Sequence, residues 1–118
     1  MYTISKRFSF DASHHLEGLP TSHKCGRVHG HTYVIELVLQ SDVLIAPGFV
    51  VDYGKLVPFK EYLDAQFDHR DLNEVIQPVQ PTAENIARLC FEWCKARWPE
   101  TIAVRVSETP NTLAEYTE

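Results

Sequence analysis

The sequence is poor in the features that mark several broad classes of protein. It has only three cysteines in 118 residues, an odd number and too few to staple a small disulfide scaffold. No apolar stretch approaches the roughly 18 to 20 residues a membrane-spanning helix needs. Positive charge is also scarce: 11 Lys and Arg stand against 16 Asp and Glu, a formal net charge of −5, which argues against a general nucleic-acid surface. There is no internal repeat, low-complexity tract or linker. The opening segment, "MYTISKRFSFDASHH", lacks a secretory apolar core, so a cytoplasmic location is expected. HExxH is absent, which disfavours a common zinc protease.

What is present is ordinary globular composition, 44% hydrophobic and 23% charged, and the length suits one domain over 1–118. Alternation predicts a strand over 2–12, with Phe8, Phe10 and Ala12 on one face. The segment 13–27 reads as a loop, and 29–40 as the best strand of the chain. A turn at Pro47-Gly48 leads to Asp52, which can cap a helix running to about Phe67, with Pro58 tolerable only near its start. "DHRDLNEVIQPVQP" reads as a loop. Thr82 opens a second helix closed by Trp98-Pro99. "TIAVRVSET" and "TLAEYTE" make two more strands around a turn at Pro110-Asn111. This order, strand pair, helices, strand pair, predicts an α+β fold: an antiparallel four-stranded sheet with two helices on one face.

Chemistry gathers in "KCGRVHGHTYVIELVL", residues 24–39. His29 and His31 share one side of a strand, about 6.5 to 7 Å apart along it. His14 continues the inward parity of Phe8, Phe10 and Ala12 and would face them if the first two strands pair. Three imidazoles with one open position make a catalytic zinc arrangement, while a fourth protein ligand makes a structural one. Cys25 could be that fourth ligand or a separate reactive thiol, since it lies outside any apolar pattern and between Lys24 and Arg27. An H-x-H pair alone is weak, and both histidines could be plain strand-edge polar residues. Cys90 and Cys94 fall in a helical apolar pattern and read as small buried hydrophobes.

Glu108 shares the parity of Ile102, Val104 and Val106. It either stands in water just past the strand end or anchors a ligand, since a buried carboxylate needs a partner. An amidine-like edge, such as that of a pterin or guanine ring, would supply two parallel hydrogen bonds. Asp68-His69 is either a surface pair or an acid–base pair in which the carboxylate orients the imidazole. Lys6, Arg7, Lys24, Arg27 and Arg70 could receive an anionic small molecule if the fold gathers them.

Six blocks, "FSFDASHHL", "KCGRVHGHTY", "GFVVDYGKL", "FDHRDLN", "PTAENIA" and "VSETPNTLAEY", together resemble the 6-pyruvoyl-tetrahydropterin synthase / 6-carboxy-5,6,7,8-tetrahydropterin synthase family over nearly the whole chain. The resemblance implies a tunnelling fold, in which subunits pool their sheets into a barrel, commonly a hexamer, with active sites at subunit interfaces. It implies Zn2+ on His14, His29 and His31, catalytic roles for Cys25, Asp68 and His69, and a pterin anchor at Glu108. The neighbouring His15 is set aside by both the alternation and the family's A-[AS]-H-x-L pattern. The compact loop, with three residues between Cys25 and HGH, points to the carboxy-forming branch acting on a pterin triphosphate.

Overall fold

A computed structural model describes all residues, 1–118. Strands β1 (Tyr2–His14), β2 (His29–Ser41), β3 (Thr101–Ser107) and β4 (Ala114–Thr117) form one antiparallel sheet in sequence order. Both long strands extend slightly beyond their alternating cores, because each ends in a residue the partner strand can still pair. The β1–β2 ladder runs unbroken from Tyr2↔Ser41 to His14↔His29. Phe8, Phe10, Tyr33, Ile35, Leu37, Leu39, Val104 and Val106 are buried on one face. Their neighbours in sequence point the other way, where Arg105 bridges Glu36 and Glu115 across β2, β3 and β4. Arg105's hydrogen bond is the main reason Glu36 stays ionised to lower pH than an ordinary carboxyl.

The helices α1 (Val57–Gln66), α2 (Leu72–Val75) and α3 (Ala83–Arg97) complete the fold. Asp52 caps as expected, but what it caps is a 3₁₀ turn over Tyr53–Leu56. The α-helix follows, with Pro58 in its first turn, where its missing N–H costs nothing. The loop expected after Phe67 contains α2, capped by Asp71; four residues are too few to display helical periodicity. Thr82 caps α3 through the Asn85 N–H at 3.2 Å. Cys90 and Cys94 are fully buried on its inner face, and burial pushes the Cys90 thiol up to about 12.

Phe59 sits at the centre of this packing, edge-on to Phe8 with ring centroids 5.0 Å apart and tilted against Trp93 at 5.7 Å. It has no exposed surface. Phe59→Ala should therefore cost about 3–5 kcal/mol of unfolding free energy, transfer and cavity together. Equilibrium urea denaturation measures it, and a loss under about 1 kcal/mol would mean that the site collapses around the smaller side chain.

Candidate metal centre and its surroundings

Strand pairing brings the three histidines together. His14 is the register partner of His29, and Ala12 that of His31, so all three imidazoles leave the core face at one end of the β1–β2 ladder. One ring nitrogen of each lies within 4.8 Å of the others. His14 is almost fully buried. Tyr33, next inward on β2, lies edge-on beneath both His14 and His31. His15 takes no part: its Nε2 lies 3.5 Å from Glu17.

The tautomers decide what this cluster can hold. His14 Nδ1 is 2.7 Å from the Pro81 carbonyl, and His29 Nδ1 is 2.7 Å from the Arg27 carbonyl. A carbonyl only accepts, so each Nδ1 carries the hydrogen and each neutral ring turns a bare Nε2 lone pair inward. These two Nε2 atoms stand 3.0 Å apart. Two lone pairs at that separation repel unless a cation sits with them. In tetrahedral zinc coordination, with N–Zn near 2.0–2.1 Å, neighbouring nitrogens lie about 3.3 Å apart. The carbonyls also match the outer partners that metal-binding imidazoles require. The cluster fits a divalent metal on its own chemistry. Burial holds His31 below the ordinary imidazole value; Glu108 opposes that shift, and the His14 and His29 rings reinforce it.

Glu108 lies one residue past the end of β3 yet turns inward, as its parity requires. Its Oε2 is 3.2 Å from both His14 Nε2 and His31 Nε2. It also lines a cavity of about 640 Å³ with Thr32, Ser107, Thr109 and Asn111. A second cavity of about 570 Å³ is lined by His31, His69, Arg70 and Asp71, and Thr32 borders both. Of the suggested cations, Arg7 pairs with Glu36 and borders the first cavity, Arg70 borders the second, and Lys6 lies over Phe8.

Asp68 and His69 do form a pair, with Oδ2 2.8 Å from Nδ1. Their bend is pinned to β1: the Asp11 N–H donates to Asp68 Oδ1 at 2.9 Å, and the His69 N–H donates to the Asp11 carbonyl at 2.6 Å. His69 adopts φ 58°, a left-handed conformation uncommon outside glycine. Such strain persists where surrounding bonds over-determine it, and it clusters at functional positions. The Asp11 N–H, followed by His69, holds the Asp68 carboxyl below its usual range, while the Asp68 hydrogen bond raises His69. Replacing Asp68 with Asn removes the carboxylate charge that favours imidazolium and leaves only a neutral amide acceptor. The His69 midpoint should then fall toward the ordinary value near 6.5, read by NMR titration; an unchanged midpoint would show that the pair is not formed in solution. With His69 raised, any contribution it makes to stability is present below the unfolded imidazole value and lost as pH rises through the folded one.

Cys25 stands on a different element from both groups. It occupies a 3₁₀ turn, Lys24–Gly26, half-buried, with its N–H on His23 Nδ1 at 3.1 Å and its carbonyl accepting from the Leu16 N–H at 2.8 Å. No hydrogen bond joins it to Asp68, His69 or the histidine cluster. Sequence reading missed Asp11 and Pro81, and offered Arg27 only as a cation, not for its carbonyl. Asp11 acts here through its backbone as well as its side chain, which accepts from Thr32; the other two contribute carbonyls, which every residue possesses.

Comparison with known proteins agrees with this geometry. Residues 3–118 match the family described as 6-pyruvoyl tetrahydropterin synthase. A Haemophilus influenzae protein named 6-carboxy-5,6,7,8-tetrahydropterin synthase is 31% identical over 100% of both chains. A Pyrococcus furiosus protein named dihydroneopterin monophosphate aldolase is 31% identical, over 86% of this chain and 82% of its own. The solved 6-pyruvoyl tetrahydropterin synthase of Caenorhabditis elegans superposes with a TM-score of 0.87 at 28% identity, covering 99% of this chain and 95% of that one. With the match running through every strand and helix of the sheet and its helical layer, the chain belongs to the 6-pyruvoyl tetrahydropterin synthase family.

Proposed function

We propose that this protein is a zinc-dependent lyase of the cytoplasm. With the uptake of one water, it converts 7,8-dihydroneopterin triphosphate to 6-carboxy-5,6,7,8-tetrahydropterin, acetaldehyde and triphosphate, a step toward queuosine. The observation that carries this reading is the inward-turned pair of bare Nε2 atoms on His14 and His29, joined by His31, beside an inward-turned carboxylate. Zinc held by the three imidazoles would supply a Lewis acid that stabilises negative charge on the substrate's side-chain oxygens.

The other steps fall to side chains. Glu108 would accept the ring N–H and amino hydrogens of the pterin, an orientation that sets the side chain toward the histidines. Cys25 would take a proton from side-chain carbon, and His69, steered by Asp68, would carry another. Because Cys25 and the Asp68–His69 pair are not joined within one chain, assembly of copies offers a way to complete the set. We infer a homo-oligomer, favouring a hexamer, from single-domain subunits. The long β1 edge and the exposed Val43, Ile45 and Phe49 suit such burial.

The compact spacing between Cys25 and HGH, and relatives named for the carboxy product, support that branch over the 6-pyruvoyl one. Incubating zinc-loaded protein with 7,8-dihydroneopterin triphosphate, with product mass spectrometry and acetaldehyde trapping, tests it. A 6-carboxy product with acetaldehyde is expected. A 6-pyruvoyl product without acetaldehyde would overturn the branch, and unchanged substrate would overturn the enzyme. The corresponding monophosphate, offered in parallel, tests the substrate carried in the Pyrococcus furiosus relative's name.

A further inference from the structure

The loop that carries Cys25 is held from behind by two side-chain amides. Asn73 Oδ1 accepts from the His15 N–H at 2.8 Å, and its Nδ2 donates to the His15 carbonyl at 2.9 Å. Two residues on, Gln80 repeats the pattern: Oε1 accepts from the Glu17 N–H at 2.6 Å, and Nε2 donates to the Glu17 carbonyl at 2.9 Å. Each amide thus imitates the peptide of a neighbouring strand, at the i and i+2 spacing of an antiparallel ladder. Between them, Leu16 faces the opposite way and donates its N–H to the Cys25 carbonyl at 2.8 Å. Residues 15–17 form a narrow splint with the amides on one edge and Cys25 on the other.

Both amides are themselves anchored. Asn73 lies in α2, its N–H received by the Asp71 carboxylate at 3.0 Å. The Gln80 carbonyl accepts from Asn85 Nδ2 at 2.9 Å, and the next carbonyl, that of Pro81, fixes the His14 ring. One strap over residues 73–85 therefore sets both a histidine of the metal cluster and the backbone on which the thiol depends.

We propose that Asn73 and Gln80 are positioning residues for Cys25, acting through the Leu16 N–H. The inference rests on the reading that Cys25 meets the substrate. Asn73, part-buried, carries more of the effect than Gln80, whose bonds are exposed to water. A misplacement near 1 Å can cost about a hundredfold in rate without loss of binding, so the expected signature is a fall in kcat with KM little changed.

The test uses Asn73→Asp and Gln80→Glu, nearly isosteric changes that keep the acceptor but set a carboxylate oxygen against the His15 or Glu17 carbonyl. Asn73→Ala and Gln80→Ala, singly, delete the clamp with no new repulsion. Cys25 is the one thiol that is not buried, so its iodoacetamide alkylation in native, zinc-loaded protein can be followed by mass without other substitutions. In N73D we expect alkylation to change severalfold and kcat to fall about tenfold or more, with zinc content and KM held. Q80E should do the same more weakly, and the alanine variants should fall on the same line of rate against alkylation. Parental alkylation in all four variants would overturn the inference, even if kcat falls. Altered alkylation with an unchanged kcat would keep the clamp and overturn instead the catalytic role given to Cys25.

Discussion

Replacing His29 with alanine should strip the metal from the protein and abolish turnover together. His29 supplies one of the three converging nitrogens, and its ring is already committed to the right tautomer by the Arg27 carbonyl. Outer partners of metal ligands alone are worth about 10- to 100-fold in affinity, so removing a ligand should cost more than about 100-fold. Stability should report the same event. With free zinc at about a thousandfold its dissociation constant, binding adds about 4 kcal/mol to the folded state. The parent protein should therefore melt higher in zinc than in chelator, while His29→Ala should melt alike in both. Calorimetry with elemental analysis reads both quantities. Full zinc occupancy in the variant would remove His29 from the ligand set.

Cys25→Ala should have the opposite signature, with turnover lost and metal kept. The thiol stands on a separate 3₁₀ turn and belongs to no metal cluster. A positioned acid or base contributes about 10² to 10⁴ in rate, and kcat should fall by that order while zinc content stays at the parental level. Cys25→Ser, which keeps the size but raises the proton affinity of the anion, should recover little. If zinc leaves with the sulfur, Cys25 is a fourth ligand and the site is closed and structural. If activity persists without it, the proton must go elsewhere.

The sheet was legible because a strand's period of two shows directly in the residues. Phe8, Phe10, Ala12 and His14 on one strand, and His29, His31, Tyr33 and Ile35 on the next, carry their facing in their spacing. Parity excludes one-residue slips between the two inward sets, and the register the fold adopts brings the imidazoles together. Glu108 was legible by the same parity carried one step past its strand. The parts that escaped reading did so for physical reasons. Pro81 and Arg27 act through carbonyls, and Leu16 through an N–H, groups that carry no side-chain identity. Asn73 and Gln80 look like ordinary loop polar residues, and only the fold shows that each clamps a peptide more than 50 positions away. The α2 helix has four residues, barely one turn, so no periodic pattern can repeat in it. No spacing within the chain tells whether Cys25 and His69 meet, and no hydrogen bond joins them in the fold.

The last rung of the β1–β2 ladder, His14 opposite His29, gives metal uptake a second meaning. A slip of one residue would leave His14 inward but turn His29 and His31 to solvent, and the three nitrogens could no longer converge. The ion can therefore proofread the alignment of the two longest strands, holding correctly paired chains and ignoring slipped ones. In a refolded preparation, bound metal per chain then counts the molecules whose hairpin closed in register.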